Sequence, residues 1–280
     1  MPDSHWPPAL EAALLGRYTL EQEFARGGMA TVYRAQDVSS GRPVAVKVML
    51  PSLATAIGRK RFEREIRVAS SLVHPLIVPL LESGVAGELL FYVMPFIAGE
   101  TLREQLSRER RLPCATAVAI GLDLASALGH AHGQGVLHRD VKPENVLLSD
   151  DRAFVADFGL ARAVRAADST QLTATGTMVG TIEYMSPEQV LEEDDLDERT
   201  DVYGLGCVLF ESLTGEPPFS GSSLHELVKR ILKTPAARVR GFRVDVPTHI
   251  DDAITRALAK DPSERHGTMA ELSRALRDPG

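Results

Sequence analysis

His138-Arg139-Asp140-Val141-Lys142-Pro143-Glu144-Asn145 runs directly into the apolar Val146-Leu147-Leu148, and Phe154-Val155-Ala156-Asp157-Phe158-Gly159 follows shortly after. Asp140, Asn145 and Asp157 place three oxygen-bearing side chains on two short loops beside strand-like runs. Such a set offers a base and hard ligands of the kind that suit Mg²⁺. Either loop alone is a pattern that chance can produce. The two in this order, downstream of Val44-Ala45-Val46-Lys47, make a coincidence rare.

Toward the N-terminus, the period of a strand puts Ala45 and Lys47 on one face and Val44, Val46 and Val48 on the other. A lysine inside an apolar run calls for a partner, because ammonium groups are rarely buried alone; a surface-facing lysine on an edge strand is the alternative. The spacing predicts a helix over Gly58–Leu72 with Phe62, Ile66, Ala69 and Val73 as its apolar stripe. Glu65 falls within that stripe while Glu63 points away, so Lys47 with Glu65 is the expected pair, each compensating the other's burial. Between the runs ending at Ala25 and beginning at Thr31 lies Arg26-Gly27-Gly28-Met29-Ala30. Glycines there permit either a plain hairpin turn or close approach of backbone N–H groups to a phosphate. Ser39-Ser40-Gly41 reads as a second hairpin turn, and Leu89–Met94 as a further strand.

The pattern changes near Gly99. Ala115–His132 reads as a long Ala/Leu-rich helix, and Asp201–Leu213 is apolar nearly all round, as a buried helix is. Gly215-Glu216-Pro217-Pro218 ends it. The chain is therefore β-rich first and α-rich second, an α+β organisation, with no internal repeat.

Bulk properties narrow the function. The 280 residues are 44% hydrophobic with a net charge of −7, and no basic stripe of the kind nucleic-acid binders show is present, so no nucleic-acid partner is expected. Cys114 and Cys207 lie far apart without CxxC spacing and read as reduced thiols. No run approaches the ~18 uninterrupted apolar residues of a membrane helix, and Met1–Leu15, with adjacent prolines and no basic start, reads as a leader and not as a signal peptide. A cytoplasmic setting is expected, which also suits the cytosolic domain of a longer, membrane-anchored protein. His130 and His132 do not share a helix face, which argues for structural roles over metal binding. The acidic run Glu192–Asp195 with Asp197-Glu198 could attract basic substrates, but a solvated loop is the favoured reading.

Taken together, these motifs resemble the eukaryotic-type protein kinases. The Gly27-Gly28-Met29 loop, Gly180-Thr181 and Tyr184-Met185-Ser186-Pro187-Glu188 are most similar to the bacterial serine/threonine branch. The resemblance covers about Gly16 to Leu276 and implies a bilobal fold with a small β-rich lobe (16–98), a larger helical lobe (99–278) and ATP between them. It implies that Asp140 accepts or orients the substrate hydroxyl proton, that Lys142 neutralises the transferring phosphoryl group, and that Lys47, paired with Glu65, holds the α/β-phosphates. It further implies that Asn145 and Asp157 hold Mg²⁺ (or Mn²⁺), and that Ala25, Gly27, Gly28, Val32, Ala45, Met94, Pro95, Ile97 and Leu147 surround the nucleotide. Glu188 is expected to pair with Arg265, Asp201 to brace the catalytic loop, and Arg139 to read a phosphate on the following segment, where Thr173 and Thr175 resemble an autophosphorylated pair. Thr181 is expected to shape the acceptor site. Lys142, two residues after Asp140, is the serine/threonine pattern. The chain departs from the family's Gly-x-Gly-x-x-Gly loop, with Ala25 and Ala30 at the outer glycine positions. Protein substrates are implied, and a kinase dimer is compatible. A pseudokinase scaffold is the first alternative, but Lys47, Asp140, Asn145 and Asp157 are all in place. A small-molecule phosphotransferase is the second, but such enzymes lack the 180–188 segment.

Overall fold

The computed structural model describes residues 6–28, 30–158 and 182–277. They form two compact units. The first holds the chain up to Val73 together with Val78–Ala98; the second holds His74–Ile77, Gly99–Phe158 and the described residues after 181.

The first unit is a five-stranded antiparallel sheet of order β1-β2-β3-β5-β4. Its strands are β1 (Tyr18–Arg26), β2 (Ala30–Asp37), β3 (Pro43–Met49), β4 (Glu82–Ala86) and β5 (Leu89–Pro95). Val44, Val46 and Val48 of β3 lie in one apolar cluster with Tyr33, Ala35, Phe91 and Val93. The register explains this grouping: Val46 faces Tyr33 on one side and Val93 on the other, and residues directly opposite in antiparallel strands share a sheet face.

Helix α1 (Pro8–Leu14) covers that cluster. Leu10 and Leu14, one turn apart, are 0% and 1% exposed and belong to it. The stretch expected as a leader is thus, from Pro8 on, part of the sheet's core. The expected helix at 58–72 also differs. Two helices stand there, α2 (Pro51–Ile57) and α3 (Arg59–Ser70), separated at Gly58. Phe62, Glu65, Ile66 and Ala69 are buried on α3 as the stripe requires, but Val73 is 81% exposed. The reason is local: Ser71 closes the helix by donating its N–H to the Val68 and Ala69 carbonyls, so the periodicity stops before Val73.

In the second unit, β6 (Glu100–Thr101), β7 (Val146–Ser149) and β8 (Arg152–Val155) form a small antiparallel sheet. Asp150 and Asp151 turn the β7–β8 hairpin with φ of 49° and 59°, the left-handed pair that a tight two-residue connection demands. Gly99 sits at the entry to this sheet with φ of 156°, where a Cβ would fall 1.9 Å from the Leu148 carbonyl oxygen.

Helix α4 (Leu102–Glu109) begins in a reciprocal capping box between Thr101 and Glu104. Helix α5 (Cys114–His132) matches a membrane span in length and composition. Ala117, Ile120, Gly121, Leu124, Ala125, Ala127, Leu128 and Ala131 are nevertheless buried within the unit. Beyond the short α6 (Pro187–Val190) comes α7 (Arg199–Thr214), buried continuously from Thr200 to Leu213. Gly215 ends it at φ 90°, donating to the Glu211 carbonyl at 2.7 Å in the left-handed cap that glycine adopts without strain. Helices α8 (Leu224–Lys233), α9 (Thr248–Ala257) and α10 (Met269–Arg277) complete the unit. The order of a sheet unit followed by a helical unit makes the chain α+β.

Candidate active site

The loop 138–145 hangs from α7. Asp201, fully buried in the first turn of that helix, accepts the backbone N–H groups of His138 at 2.8 Å and Arg139 at 2.7 Å. His132, at the end of α5, makes a third hydrogen bond to it at 2.7 Å. Burial opposes the Asp201 charge, but the His132 ring and the loop amide outweigh it and hold the carboxyl below its usual range. The loop needs this support because Arg139 stands at φ 66°, a costly conformation for a non-glycine residue. Gln189 of α6 secures the same residue by donating to the Arg139 carbonyl at 2.9 Å.

His138 is 1% exposed. Its Nε2 donates to the Ala156 carbonyl at 2.9 Å, its Nδ1 accepts from the Asp140 N–H at 3.2 Å, and its ring meets Phe158 edge-on at 4.7 Å. The histidine is therefore structural, fastening the first loop to the second. At the centre, Lys142 Nζ lies 2.8 Å from Asp140 Oδ2, and Asn145 Nδ2 donates to the same oxygen at 2.9 Å and to the Asp140 carbonyl at 2.8 Å. Both side-chain contacts fall on one oxygen, which fixes the carboxylate's rotation. The Asp140 side chain is 20% exposed, so the oriented carboxylate is reachable from solvent. Asn145 spends its amide nitrogen on Asp140, so its oxygen is the atom that could hold a cation. Asp157 stands in the next loop at φ 66°. No group of three or more His, Cys, Asp or Glu ligands for a metal occurs among the described residues. An amide and a carboxylate oxygen fit Mg²⁺, which takes few protein ligands when phosphate supplies others. Leu147 is partly exposed on β7.

On the first unit's sheet, pairing brings the expected nucleotide residues to one face. Ala25 faces Val32, Val32 faces Lys47, and Ala45 faces Met94; all lie opposite the apolar cluster of Val44, Val46 and Val48. Gly27 closes the β1–β2 turn by donating to the Ala30 carbonyl at 2.9 Å, and a Cβ at Gly27 would meet nothing closer than 3.7 Å. Gly28 is exposed in that turn, and Pro95 and Ile97 are partly exposed at the end of β5 and just beyond. Phe96 between them meets Phe24 of β1 edge-on at 5.1 Å, a contact the sequence did not suggest. Lys47 is partly exposed on β3, and Glu65 is 7% exposed on α3.

Arg265 is 1% exposed, and its guanidinium meets Glu188 side-on, Nη1 to Oε1 at 2.7 Å and Nη2 to Oε2 at 2.8 Å. Thr173, Thr175 and Thr181 lie outside the described residues. Sequence reasoning missed a second polar cluster, formed by Arg103 of α4 with Glu144, Tyr184 and Glu211. A signal for it existed: Glu211 is a charged residue within a helix that is apolar nearly all round, and a buried carboxylate requires a partner.

A family model described as the protein kinase domain matches residues 18–276. Among curated relatives, the serine/threonine-protein kinase PknB of Mycobacterium leprae is 42% identical over 92% of this chain and 42% of its own length. PknD of Mycobacterium tuberculosis is 41% identical over 94% of this chain and 40% of its own length. The chain thus spans about two-fifths of the length of these relatives. The crystal structure of the Mycobacterium tuberculosis PknI kinase domain superposes with a TM-score of 0.75 at 29% identity, covering 95% of this chain and 97% of that one.

Proposed function

The chain belongs to the protein kinase family, in its bacterial serine/threonine branch, and on that premise we propose that it transfers the γ-phosphoryl group of ATP to serine or threonine hydroxyls of other proteins. The observation that carries this reading is the Asp140 carboxylate, held through one oxygen by Lys142 at 2.8 Å and Asn145 at 2.9 Å and anchored through its loop to buried Asp201. A carboxylate so oriented can receive the hydroxyl proton as the oxygen–phosphorus bond forms and the bond from the γ-phosphorus to the departing ADP breaks, while the Lys142 ammonium offsets the charge of the phosphoryl oxygens. Lys47, compensated by buried Glu65, holds the α/β-phosphates. The face bearing Ala25, Val32, Ala45 and Met94 receives the adenosine together with Gly27, Gly28 and the backbone of Pro95 and Ile97. Asn145 and Asp157 would hold Mg²⁺, which would supply charge compensation for the phosphate oxygens.

Within the same reading, Thr173 and Thr175 are autophosphorylated and Arg139 pairs with the phosphate. Mass spectrometry after incubation with ATP should find both sites modified, and Thr173→Ala/Thr175→Ala should lower turnover of other substrates; unchanged turnover would refute the switch. A cytosolic setting, where ATP is available, goes with this activity. The central test is transfer of radiolabel from ATP to a generic protein substrate. Asp140→Asn should abolish transfer while nucleotide binding persists, and near-normal turnover in that variant would overturn the assignment.

A further inference from the structure

The cluster around Arg103 lies entirely within the second unit and touches the catalytic loop through Glu144, the residue before Asn145. Its guanidinium is fully engaged. Nε donates to Glu144 Oε1 at 2.7 Å, Nη1 to Glu211 Oε1 at 2.6 Å, and Nη2 to the Tyr184 hydroxyl and, at 3.4 Å, to Glu211 Oε2. The Tyr184 hydroxyl in turn donates to Glu211 Oε2. Glu183, beside them, has its carboxyl pushed up by burial and then by the Glu211 charge. One arginine thus satisfies two carboxylates in a neighbourhood otherwise acidic.

The cluster is not sealed. The side chains of Arg103 and Glu144 are 31% and 44% exposed, while that of Glu211 is 6% exposed. It is also where an acceptor peptide has reason to pass, because Glu144 belongs to the loop carrying Asp140, and Tyr184 to the stretch that small-molecule phosphotransferases of related fold lack. Two carboxylates and a phenol at the edge of a peptide path would form a binding site for an arginine or lysine side chain. Here the chain's own arginine fills it, with the three-nitrogen engagement that only a guanidinium provides.

We infer that Arg103 is a specificity-determining residue: it occupies the place of a substrate's basic side chain and makes the enzyme indifferent to arginine or lysine near the acceptor. This rests on the phosphotransfer reading above. Specificity here works by occupancy. A basic substrate residue gains nothing from carboxylates already paired, and it meets an extra positive charge.

The test is a positional-scanning library of serine and threonine peptides, phosphorylated with radiolabelled ATP by the wild type and by Arg103→Ala, Arg103→Lys and Arg103→Ala/Glu144→Gln. For the wild type, basic and neutral residues should be accepted within about threefold of one another at every position. Arg103→Ala should favour arginine at one or two positions by about tenfold in kcat/KM, as expected for a charge-assisted pair gained in a partly buried site. Glu144→Gln added to Arg103→Ala should reduce that gain. Arg103→Lys, which keeps the charge without the fork, should show a smaller gain and supplies the comparison should the alanine variant fail to fold. A loss of overall rate without a change in preference, the signature of a merely structural arginine, would overturn the inference. So would a wild type that already favours basic residues. Transfer to no peptide at all by the wild type would instead overturn the phosphotransfer reading.

Discussion

Replacing Arg265 by methionine removes a charge from the interior while keeping most of the volume, and the structure sets the expected cost. The Arg265 and Glu188 side chains are 0% and 7% exposed. Glu188 also accepts from the Thr200 hydroxyl at 2.9 Å, and Arg265 donates to the carbonyls of Ala259, Arg199 and Lys260 at 2.8, 2.9 and 3.1 Å. Its guanidinium lies 4.9 Å from the centre of the Tyr203 ring. Breaking a buried ion pair from one side leaves the other charge uncompensated, at about 3–5 kcal/mol. With roughly 2–4 °C lost per kcal/mol for a chain of this size, the melting temperature should fall by roughly 6–20 °C.

Urea and thermal denaturation of Arg265→Met, Glu188→Leu and the double variant measure this directly. The double variant should recover a good part of the loss, because an apolar pair carries no buried charge. The pH dependence gives an independent sign. In the wild type, Arg265 outweighs the effect of burial and holds Glu188 below its usual carboxyl value of 4.5. Its contribution is therefore complete above about pH 4.5 and is lost as pH falls through the depressed folded-state value. In Arg265→Met, only the remaining hydrogen bonds of Glu188, among them that from Thr200, oppose the effect of burial; its pKa should rise, so the same group should now make the protein less stable as pH rises through the acid range. A single variant costing less than about 1 kcal/mol, or a double variant worse than either single one, would refute the reasoning.

Three further outcomes follow from the site and its frame. Asp201→Asn should cost about 1–3 kcal/mol and lower turnover far more than nucleotide affinity, since one amide cannot accept both loop N–H groups and the His132 bond; denaturation curves beside kcat and KM decide it. Asp157→Ala should weaken binding of Mg-ATP more than binding of metal-free ATP, and calorimetry showing equal losses would remove Asp157 from the metal site. Gly99→Ala should destabilise by about 3 kcal/mol or more, because its Cβ would fall 1.9 Å from the Leu148 carbonyl oxygen at a φ of 156°; an unchanged urea midpoint would contradict the fold at β6–β7.

The parts of this molecule that were legible in its sequence are those in which chemistry or a long period constrains the residues. Asp140, Asn145 and Asp157 announce themselves because few loops gather such groups between apolar strands. The helix over 201–213 does so because its apolar residues run all round. Helix α1 was not legible. A seven-residue helix holding two buried leucines carries too little periodic signal, and its prolines read as irregular chain. Val73 was misplaced because the stripe at 62, 66 and 69 extrapolates smoothly past Ser71, and only the local hydrogen bonds of that serine end it. The Arg103 cluster joins residues 41, 81 and 108 positions apart, a distance over which spacing rules have nothing to say.

The long helix at 199–214 shows why charged residues persist at such positions. Apolar side chains buried on every face specify that the helix is covered, but they leave its rotation weakly determined, because one leucine can stand in for another. Three polar side chains remove that freedom. Thr200 donates to Glu188, Asp201 holds the backbone of His138 and Arg139, and Glu211 meets Arg103 and Tyr184. A slip of one residue turns a helix by about 100°. It would leave two buried carboxylates without partners at once, at several kcal/mol each. The pairs therefore act less as a source of stability than as a lock on register. What they lock is the placement of the catalytic loop relative to the 182–188 stretch, two parts of a phosphotransfer site in which a misplacement of about 1 Å can cost roughly a hundredfold in rate.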